Sequence, residues 1–217
     1  MAGLIQALAA AVGLGDRPYG LGGVALIVLY MIQSEVRFGA RARSSRPGPA
    51  DRHSSLALSL TALIPILGFA AAMKLSPVAT GSPSGWAAWL FGESLPGLPA
   101  VAWAGGVIGL AGLALRLWAV LTLRERYSRT LLVREDHRIE RGGPYRLVRH
   151  PGYLGSLLCL NAIALTSGAA PVFVASLLAT IPAYLYRVRA EDTMLVAAFG
   201  APYESYRREV GALLPFR

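Results

Sequence analysis

The chain has 217 residues, of which 54% are hydrophobic and only 15% are charged. This balance is typical of a membrane protein and excludes an ordinary soluble globular domain. The formal net charge is +9, but the basic residues lie between apolar stretches, as the positive-inside rule predicts, so we predict no binding to nucleic acid.

Five apolar stretches follow one another along the chain, and the alternating pattern of membrane-barrel strands does not occur. A helix needs about 20 residues to cross a bilayer, and we assign the first three stretches as full spans. The last two are shorter and are separated only by Gly168, Ala169 and Ala170, which predicts an antiparallel helical hairpin that crosses obliquely or incompletely. The stretches cover approximately residues 18–34, 54–73, 98–123, 152–167 and 171–188.

The positions of the basic residues predict the orientation of these spans. Residues 37–52 hold five arginines, residues 124–149 hold eight and residues 187–217 hold five, together 18 of the 21 basic residues. Residues 75–99 hold none and contain Trp86, Trp89 and Phe91, as expected of an aromatic anchor at the opposite interface. We therefore predict an N-terminus outside and a C-terminus inside a plasma membrane of the bacterial type.

These patterns predict an all-α integral membrane protein with about five transmembrane helices, the last two a helical hairpin, and a cytoplasmic C-terminal helix. Residues 1–123 form the predicted N-terminal transmembrane region of three spans. Residues 124–217 hold most of the polar side chains that could take part in catalysis or binding. This places the predicted active site on the cytoplasmic side. Arg116, inside the third span, is predicted either to snorkel or to pair with a carboxylate such as Glu35.

The sequence Arg149-His150-Pro151 begins the fourth apolar stretch. Proline suits the first turn of a helix, so Arg149 and His150 are predicted at the helix N-terminus, where free N–H groups favour an anion. The two glycines and the proline of residues 142–144 cannot continue a helix, and they let the backbone approach a ligand closely. This segment is therefore a candidate binding loop.

Glu191 and Asp192 follow the hairpin, which predicts that they return to the membrane face that holds His150. Ionisable residues at such a depth are costly to desolvate and usually functional, so we predict a role in binding a cofactor. The alternative is that they only neutralise Arg187 and Arg189. A stripe of side chains at helical spacing is predicted to pack against the membrane face or the core, namely Leu195, Val196, Phe199, Tyr203 and Tyr206.

Two histidines, His137 and His150, flank the Gly-Gly-Pro segment and are either hydrogen-bonded structural imidazoles or parts of a binding site. Their spacing matches no metal motif, so we predict no metal site. The single cysteine, Cys159, excludes a disulfide framework and is predicted to be a small helix-packing residue.

Several spaced motifs in residues 137–216 occur in an order that resembles the isoprenylcysteine carboxyl methyltransferase family and its phospholipid N-methyltransferase relatives. The N-terminal part of the chain resembles that family only as membrane spans. The motifs are His137-x-Ile139-x-x-x-Gly143-Pro144-Tyr145, Arg149-His150-Pro151-x-Tyr153-x-Gly155, Glu191-Asp192, Phe199-Gly200-x-x-Tyr203-x-x-Tyr206 and Leu214-Pro215-Phe216.

The resemblance implies an integral membrane enzyme that uses S-adenosyl-L-methionine as its cofactor, with residues 124–217 as the methyltransferase core. It implies Arg149 and Glu191 as catalytic residues, with Arg149 nearest the methyl acceptor. Family members usually carry two glutamates where this chain has Glu191 and Asp192, and aspartate keeps the charge with a shorter reach. The implied cofactor-binding residues are His137, Ile139, Gly143, Pro144, Tyr145, His150, Tyr153, Glu191 and Asp192.

The predicted function is methyl transfer to a lipophilic small molecule or lipid, such as a prenyl-type carboxylate. A carboxylate acceptor is already ionised at neutral pH and needs only a cation such as Arg149 to orient it, whereas an amine needs a base such as Glu191 or His150. Three alternatives stay open: an N-methyltransferase of phosphatidylethanolamine-like lipids, a membrane sterol-type reductase, and a non-catalytic membrane transporter or assembly protein.

Overall fold

The computed structural model describes residues 19–38, 51, 53–75, 85–95, 97–98, 100–123 and 139–215, without the side chains of residues 34–38 and 87. Throughout these residues the regular structure is helical and no β-strand occurs, which confirms the predicted all-α fold. A 3₁₀ turn, Gly143–Arg146, precedes the fifth α-helix. The α-helices are α1 (Gly20–Phe38), α2 (Ser54–Leu75), α3 (Trp86–Phe91), α4 (Ala100–Leu123), α5 (Pro151–Leu165), α6 (Ala170–Phe199) and α7 (Ala201–Glu209).

Three of these helices, α2, α4 and α6, are long and apolar enough to cross a membrane. Their outer surfaces expose large apolar side chains, among them Leu67, Val107 and Leu178. Extended apolar surfaces of this kind are rare on soluble monomers and require lipid as their solvent. The chain is therefore an integral membrane protein. Helix α5 and the apolar part of α1, Gly20–Gln33, are shorter, so the five-span topology stays a prediction.

The helices of the bundle run between two ends, which we call the hairpin-turn end and the site end. At the hairpin-turn end, the N–H of Ser94 donates a hydrogen bond of 3.0 Å to the carbonyl oxygen of Gly168, between α5 and α6. At the site end, Arg187 of α6 donates a hydrogen bond of 2.7 Å to Ser54 Oγ at the start of α2. The start of α5 also lies at the site end, so α6 returns to the point from which α5 departed.

Helix α6 is longer than the sequence pattern predicted. The fifth apolar stretch is predicted to end near Val188, with Glu191 on the separate C-terminal helix, but α6 continues for 30 residues from Ala170 to Phe199. No glycine or proline interrupts residues 183–199, so nothing stops the helix where it becomes polar. At 1.5 Å per residue it is about 45 Å long, more than the roughly 30 Å hydrocarbon core. Its charged end therefore projects from the apolar part of the bundle, and it stops at Gly200, whose φ is 58°.

Helices α4 and α5 cross in close contact through glycines. A Cβ atom at Gly155 would collide with the carbonyl oxygen of Gly112 and would lie 2.8 Å from the backbone nitrogen of Arg116. Small residues at such crossings let two membrane helices approach backbone to backbone. Both obstructing atoms belong to the backbone, so the added methyl group could be accommodated only by separating the helices.

We expect Gly155→Ala to destabilise the protein by about 1–3 kcal/mol, the usual cost of overpacking. Equilibrium unfolding in mixed detergent micelles measures this change. Gly106→Ala, also on α4, is the matched control, because a Cβ atom there meets nothing within 4 Å. Equal stability of the two variants would contradict the close crossing.

Arg116 joins α1, α4 and α5 within the bundle. It is buried, donates a hydrogen bond to Ser156 Oγ, and its guanidinium carbon lies 5.4 Å from the ring centroid of Tyr30. These contacts hold the cation inside the protein rather than at the interface. Its other predicted partner, Glu35, has a side chain outside the described residues.

Candidate active site

The start of α5 is held in place by the C-terminal segment. The N–H of Arg149 donates to the carbonyl oxygen of Gly211 at 2.8 Å, and the N–H of His150 donates to that of Ala212 at 3.0 Å. Pro151 is the first residue of α5, where its missing N–H costs nothing. Arg149 and His150 therefore lie at the helix N-terminus, as predicted. The imidazole makes no capping bond and is directed towards α6 instead.

Asp192 is the centre of the polar cluster. Its side chain is only 9% exposed, and its Oδ2 accepts a hydrogen bond of 3.0 Å from Arg149. Its Oδ1 lies 3.0 Å from His150 Nε2 and accepts a bond of 2.6 Å from the Tyr203 hydroxyl. A buried carboxylate is tolerable only with such complete pairing. Asp192 thus joins α5, α6 and α7. Its arginine partners are Arg149 and, at 3.8 Å, Arg207, rather than Arg187 or Arg189.

The guanidinium of Arg149 is largely occupied by the protein itself. One terminal nitrogen binds Asp192, and the other donates to the carbonyl oxygens of Arg207, at 3.1 Å, and Val210. The side chain is 9% exposed, and its Nε is buried without a hydrogen-bond partner among the described residues. The guanidinium is therefore shared between the Asp192 carboxylate and two backbone carbonyl oxygens, so its terminal nitrogens do not present a free bidentate fork to a ligand.

Glu191 differs from its neighbour because it keeps an open face. Its side chain is 26% exposed, and its Oε2 accepts a hydrogen bond of 2.5 Å from the Tyr153 hydroxyl. The Nδ1 of His150 lies 3.8 Å from the same oxygen, and the imidazole stacks on the Tyr153 ring with centroids 5.6 Å apart. The two carboxylates thus have different surroundings, one closed and one partly open.

The Gly-Gly-Pro segment forms the 3₁₀ turn, which packs on α4. Gly143 has a φ of 53°, and a Cβ atom there would lie 3.0 Å from Thr122 Oγ1. A residue with a side chain would be both strained and crowded, which explains the glycine. The hydroxyl of Tyr145 donates to the carbonyl oxygen of Ala119 at 3.5 Å, and its own carbonyl oxygen accepts a bond from Tyr206.

Two tyrosines of α7, Tyr203 and Tyr206, complete the polar cluster. Burial, together with the nearby Asp192 carboxylate, holds the pKa of Tyr203 well above its ordinary value, so its hydroxyl stays protonated and donates. Burial raises the pKa of Tyr206 to about 12. Both residues were expected only to pack. Packing is confirmed for both, since both are buried, but the pattern gave no sign of their hydroxyl bonds.

The structure brings five of the predicted site residues together: Arg149, His150, Tyr153, Glu191 and Asp192. Pro144 is buried, while Ile139, Gly143 and Tyr145 are half-buried along the preceding turn. His137 lies outside the described residues. Sequence reasoning missed Asp51, whose carboxylate contacts Arg187 beside this cluster. Its sequence signal is that of a helix start, an aspartate followed by Ser54 and Ser55 before an apolar run.

The fold and this cluster define an all-helical integral membrane protein whose ionisable side chains converge where the last two long helices meet. Residues 106–197 match the sequence model of the isoprenylcysteine carboxyl methyltransferase (ICMT) family. This match confirms the resemblance to the family that the motifs predicted. The matched region contains α5, nearly all of α6 and the pair Glu191–Asp192.

Curated relatives agree with this assignment. The chain is 30% identical over 118 residues to a probable protein-S-isoprenylcysteine O-methyltransferase of Oryza sativa subsp. indica, a match that covers 54% of this chain and 62% of the rice protein. It is 26% identical over 134 residues to a protein-S-isoprenylcysteine O-methyltransferase of Tribolium castaneum, covering 56% of this chain and 45% of the relative. Methanethiol S-methyltransferase 2 of Bradyrhizobium diazoefficiens is 38% identical over 71 residues, which are 33% of this chain and 26% of that protein. The chain thus spans less than two thirds of each of these relatives.

Proposed function

We propose that this protein is an S-adenosyl-L-methionine-dependent methyltransferase that acts on a lipophilic acceptor, with O-methylation of a prenyl-type carboxylate as its reaction. The observation that carries the proposal is the difference between two adjacent carboxylates. Asp192 is enclosed by its partners, whereas Glu191 keeps 26% of its side chain exposed beside His150 and Tyr153. Relatives named as isoprenylcysteine O-methyltransferases support the same reaction class.

The residues at the site end fit this cofactor. When bound, S-adenosylmethionine supplies a methyl group carried on a positively charged sulfur. The open face of Glu191 suits the ammonium group of the methionine part, and the bond from Tyr153 keeps the carboxylate in one orientation. Following the family resemblance, we assign to the rest of the cofactor His137, Ile139, Gly143, Pro144, Tyr145 and His150, with Asp192 holding His150 in position.

Arg149 is proposed to orient the acceptor. Its buried Nε–H is a donor without a partner among the described residues, and a buried donor of this kind favours an anionic oxygen. A carboxylate acceptor is ionised at neutral pH, so no residue has to remove a proton. The task of the protein is then to hold the acceptor in line and to exclude water, which supplies up to about 7–11 kcal/mol in model reactions.

We further propose that five helices cross the membrane with the site end in the cytoplasm, the N-terminus outside and the C-terminus inside, in a plasma membrane of the bacterial type. The basic segments at residues 37–52, 124–149 and 187–217 support this orientation. The polar cofactor would enter from the cytoplasm, and the lipophilic acceptor would enter sideways from the bilayer.

Calorimetric titration of the purified, monodisperse protein with S-adenosylhomocysteine tests the cofactor, and we expect saturable binding with one site. Native membranes incubated with methyl-labelled cofactor then test the acceptor. We expect the label in a lipid-soluble product from which mild base releases it, because carboxyl methyl esters are base-labile. Absence of binding in folded protein would reject the proposed function.

A second candidate is S-methylation of a thiol, which the similarity to a methanethiol S-methyltransferase favours. The same labelling experiment separates the two, since a thioether retains its label in base. Label in a phospholipid head group would instead identify N-methylation. Each outcome assigns the acceptor atom without changing the proposed cofactor.

A further inference from the structure

A buried arginine connects the start of α2 to the candidate active site. Arg187 lies one helical turn before Glu191, and its side chain is only 2% exposed. One terminal nitrogen contacts the carboxylate of Asp51 and donates to Ser54 Oγ at 2.7 Å and to Ser55 Oγ at 3.0 Å. A buried guanidinium requires such pairing, and removing its carboxylate leaves an uncompensated charge.

The opposite edge of the same guanidinium reaches the site. Its Nε donates a hydrogen bond of 2.9 Å to the Tyr153 hydroxyl oxygen, which in turn donates to Glu191 Oε2 at 2.5 Å. A tyrosine hydroxyl has one proton. Because Arg187 supplies the bond to the oxygen, the proton of Tyr153 is directed to Glu191. The two hydrogen bonds therefore run in one direction, from Arg187 through Tyr153 to the carboxylate of Glu191.

Asp51 is itself held firmly. Its carboxylate accepts bonds from Ser55 Oγ at 2.7 Å, from Ser54 Oγ at 3.3 Å and from the N–H of Ser55 at 3.3 Å, and its side chain is 3% exposed. Burial opposes its ionisation, but the hydrogen bonds from Ser55 and Arg187 outweigh burial and keep the pKa of Asp51 below its ordinary value. Asp51 is therefore an ionised, immobile anchor at neutral pH.

Asp51 is distant in sequence from the site residues that it contacts through Arg187. Asp51 precedes the family-matched region, which begins at residue 106, and it is 136 residues from Arg187. No sequence motif of the site includes it. The contact is nevertheless as buried as any ion pair of the cluster, so the start of α2 is a structural part of the site end.

We propose that Asp51 is a positioning residue for the candidate active site: through Arg187 and Tyr153 it sets the orientation of Glu191. The proposal rests on the proposed function, since it supposes that Glu191 binds the cofactor. It follows that the N-terminal membrane region, which the family motifs do not cover, controls the orientation of the Glu191 carboxylate towards the cofactor.

A double-mutant cycle in the full-length protein tests this, with the dissociation constant of S-adenosylhomocysteine measured by calorimetry. We expect Asp51→Asn to weaken binding about tenfold, comparable to the loss of one charge-assisted hydrogen bond. In a Tyr153→Phe background the same change should have little effect, because the connection to Glu191 is already broken. Asp51→Glu should restore part of the affinity.

Glu93→Gln is the matched control, because Glu93 also accepts a hydrogen bond from the N-terminal region, from Tyr19, but at the hairpin-turn end. It should leave affinity unchanged. If Asp51→Asn does not fold, Ser55→Ala removes one bond from the anchor and should weaken binding about threefold in the same direction. Equal and additive effects of Asp51→Asn in both backgrounds would overturn the positioning role, whereas no binding by the wild type would overturn the proposed function itself.

Discussion

Glu191→Gln is expected to weaken the binding of S-adenosylhomocysteine about 100-fold, the upper range for removing one charged partner of a buried hydrogen bond. Glutamine keeps the shape of the side chain and an oxygen that can accept the bond from Tyr153. The lost quantity is therefore the negative charge that faces the ammonium group of the ligand. Calorimetry on the purified variant measures the affinity, and its melting temperature should change little because Glu191 is partly exposed.

Glu204→Gln makes the same chemical change on the exposed surface of the adjoining helix α7 and is the matched control. Its affinity should equal that of the wild type. Equal affinities for the Glu191 variant and this control would remove Glu191 from the cofactor site. A large loss of thermal stability in Glu191→Gln would instead assign the residue a structural role.

Asp192→Asn should destabilise the protein by about 3–5 kcal/mol, the cost of removing one partner from a buried ion pair. The change leaves Arg149 without its counter-charge in a cluster where both side chains are 9% exposed. It also gives His150 and Tyr203 an amide in place of a carboxylate. Equilibrium unfolding in mixed detergent micelles measures the loss, and it should be visible without any ligand.

The exposed ion pair between Arg141 and Glu209 is the control for this prediction. The two side chains are 44% and 55% exposed and 3.2 Å apart. Glu209→Gln should change stability by less than about 1 kcal/mol, as is usual for surface pairs. If Asp192→Asn costs no more than this control, Asp192 is not the centre of a buried network, and its position would have to be that of a ligand-binding residue alone.

Much of the site was predictable because its residues are adjacent in sequence to a helix start and to the end of a helical hairpin. Pro151 marks a helix start, so Arg149 and His150 had to lie at a helix N-terminus. A hairpin with so short a turn had to return Glu191 and Asp192 to the same end. These are consequences of local chain geometry and of the length of apolar stretches.

Other features were not predictable, because they depend on which side chain meets which partner. Nothing in the order of residues separates Glu191 from Asp192, yet one residue of helical rotation places Asp192 between Arg149 and His150 and leaves Glu191 partly open. The end of α6 was also misjudged, because polarity alone does not stop a helix.

Hydrophobic run length, basic loops and motif order are properties of the linear chain, so they were sufficient to identify a helical membrane protein with an ICMT-type polar motif. The pairing of its charges is visible only in the folded molecule. Asp51 pairs with Arg187 across 136 residues, and Arg149 pairs with Asp192. Such pairings are selected by the high cost of leaving a charge unpaired in an apolar bundle, and that cost acts on neighbours in space rather than in sequence.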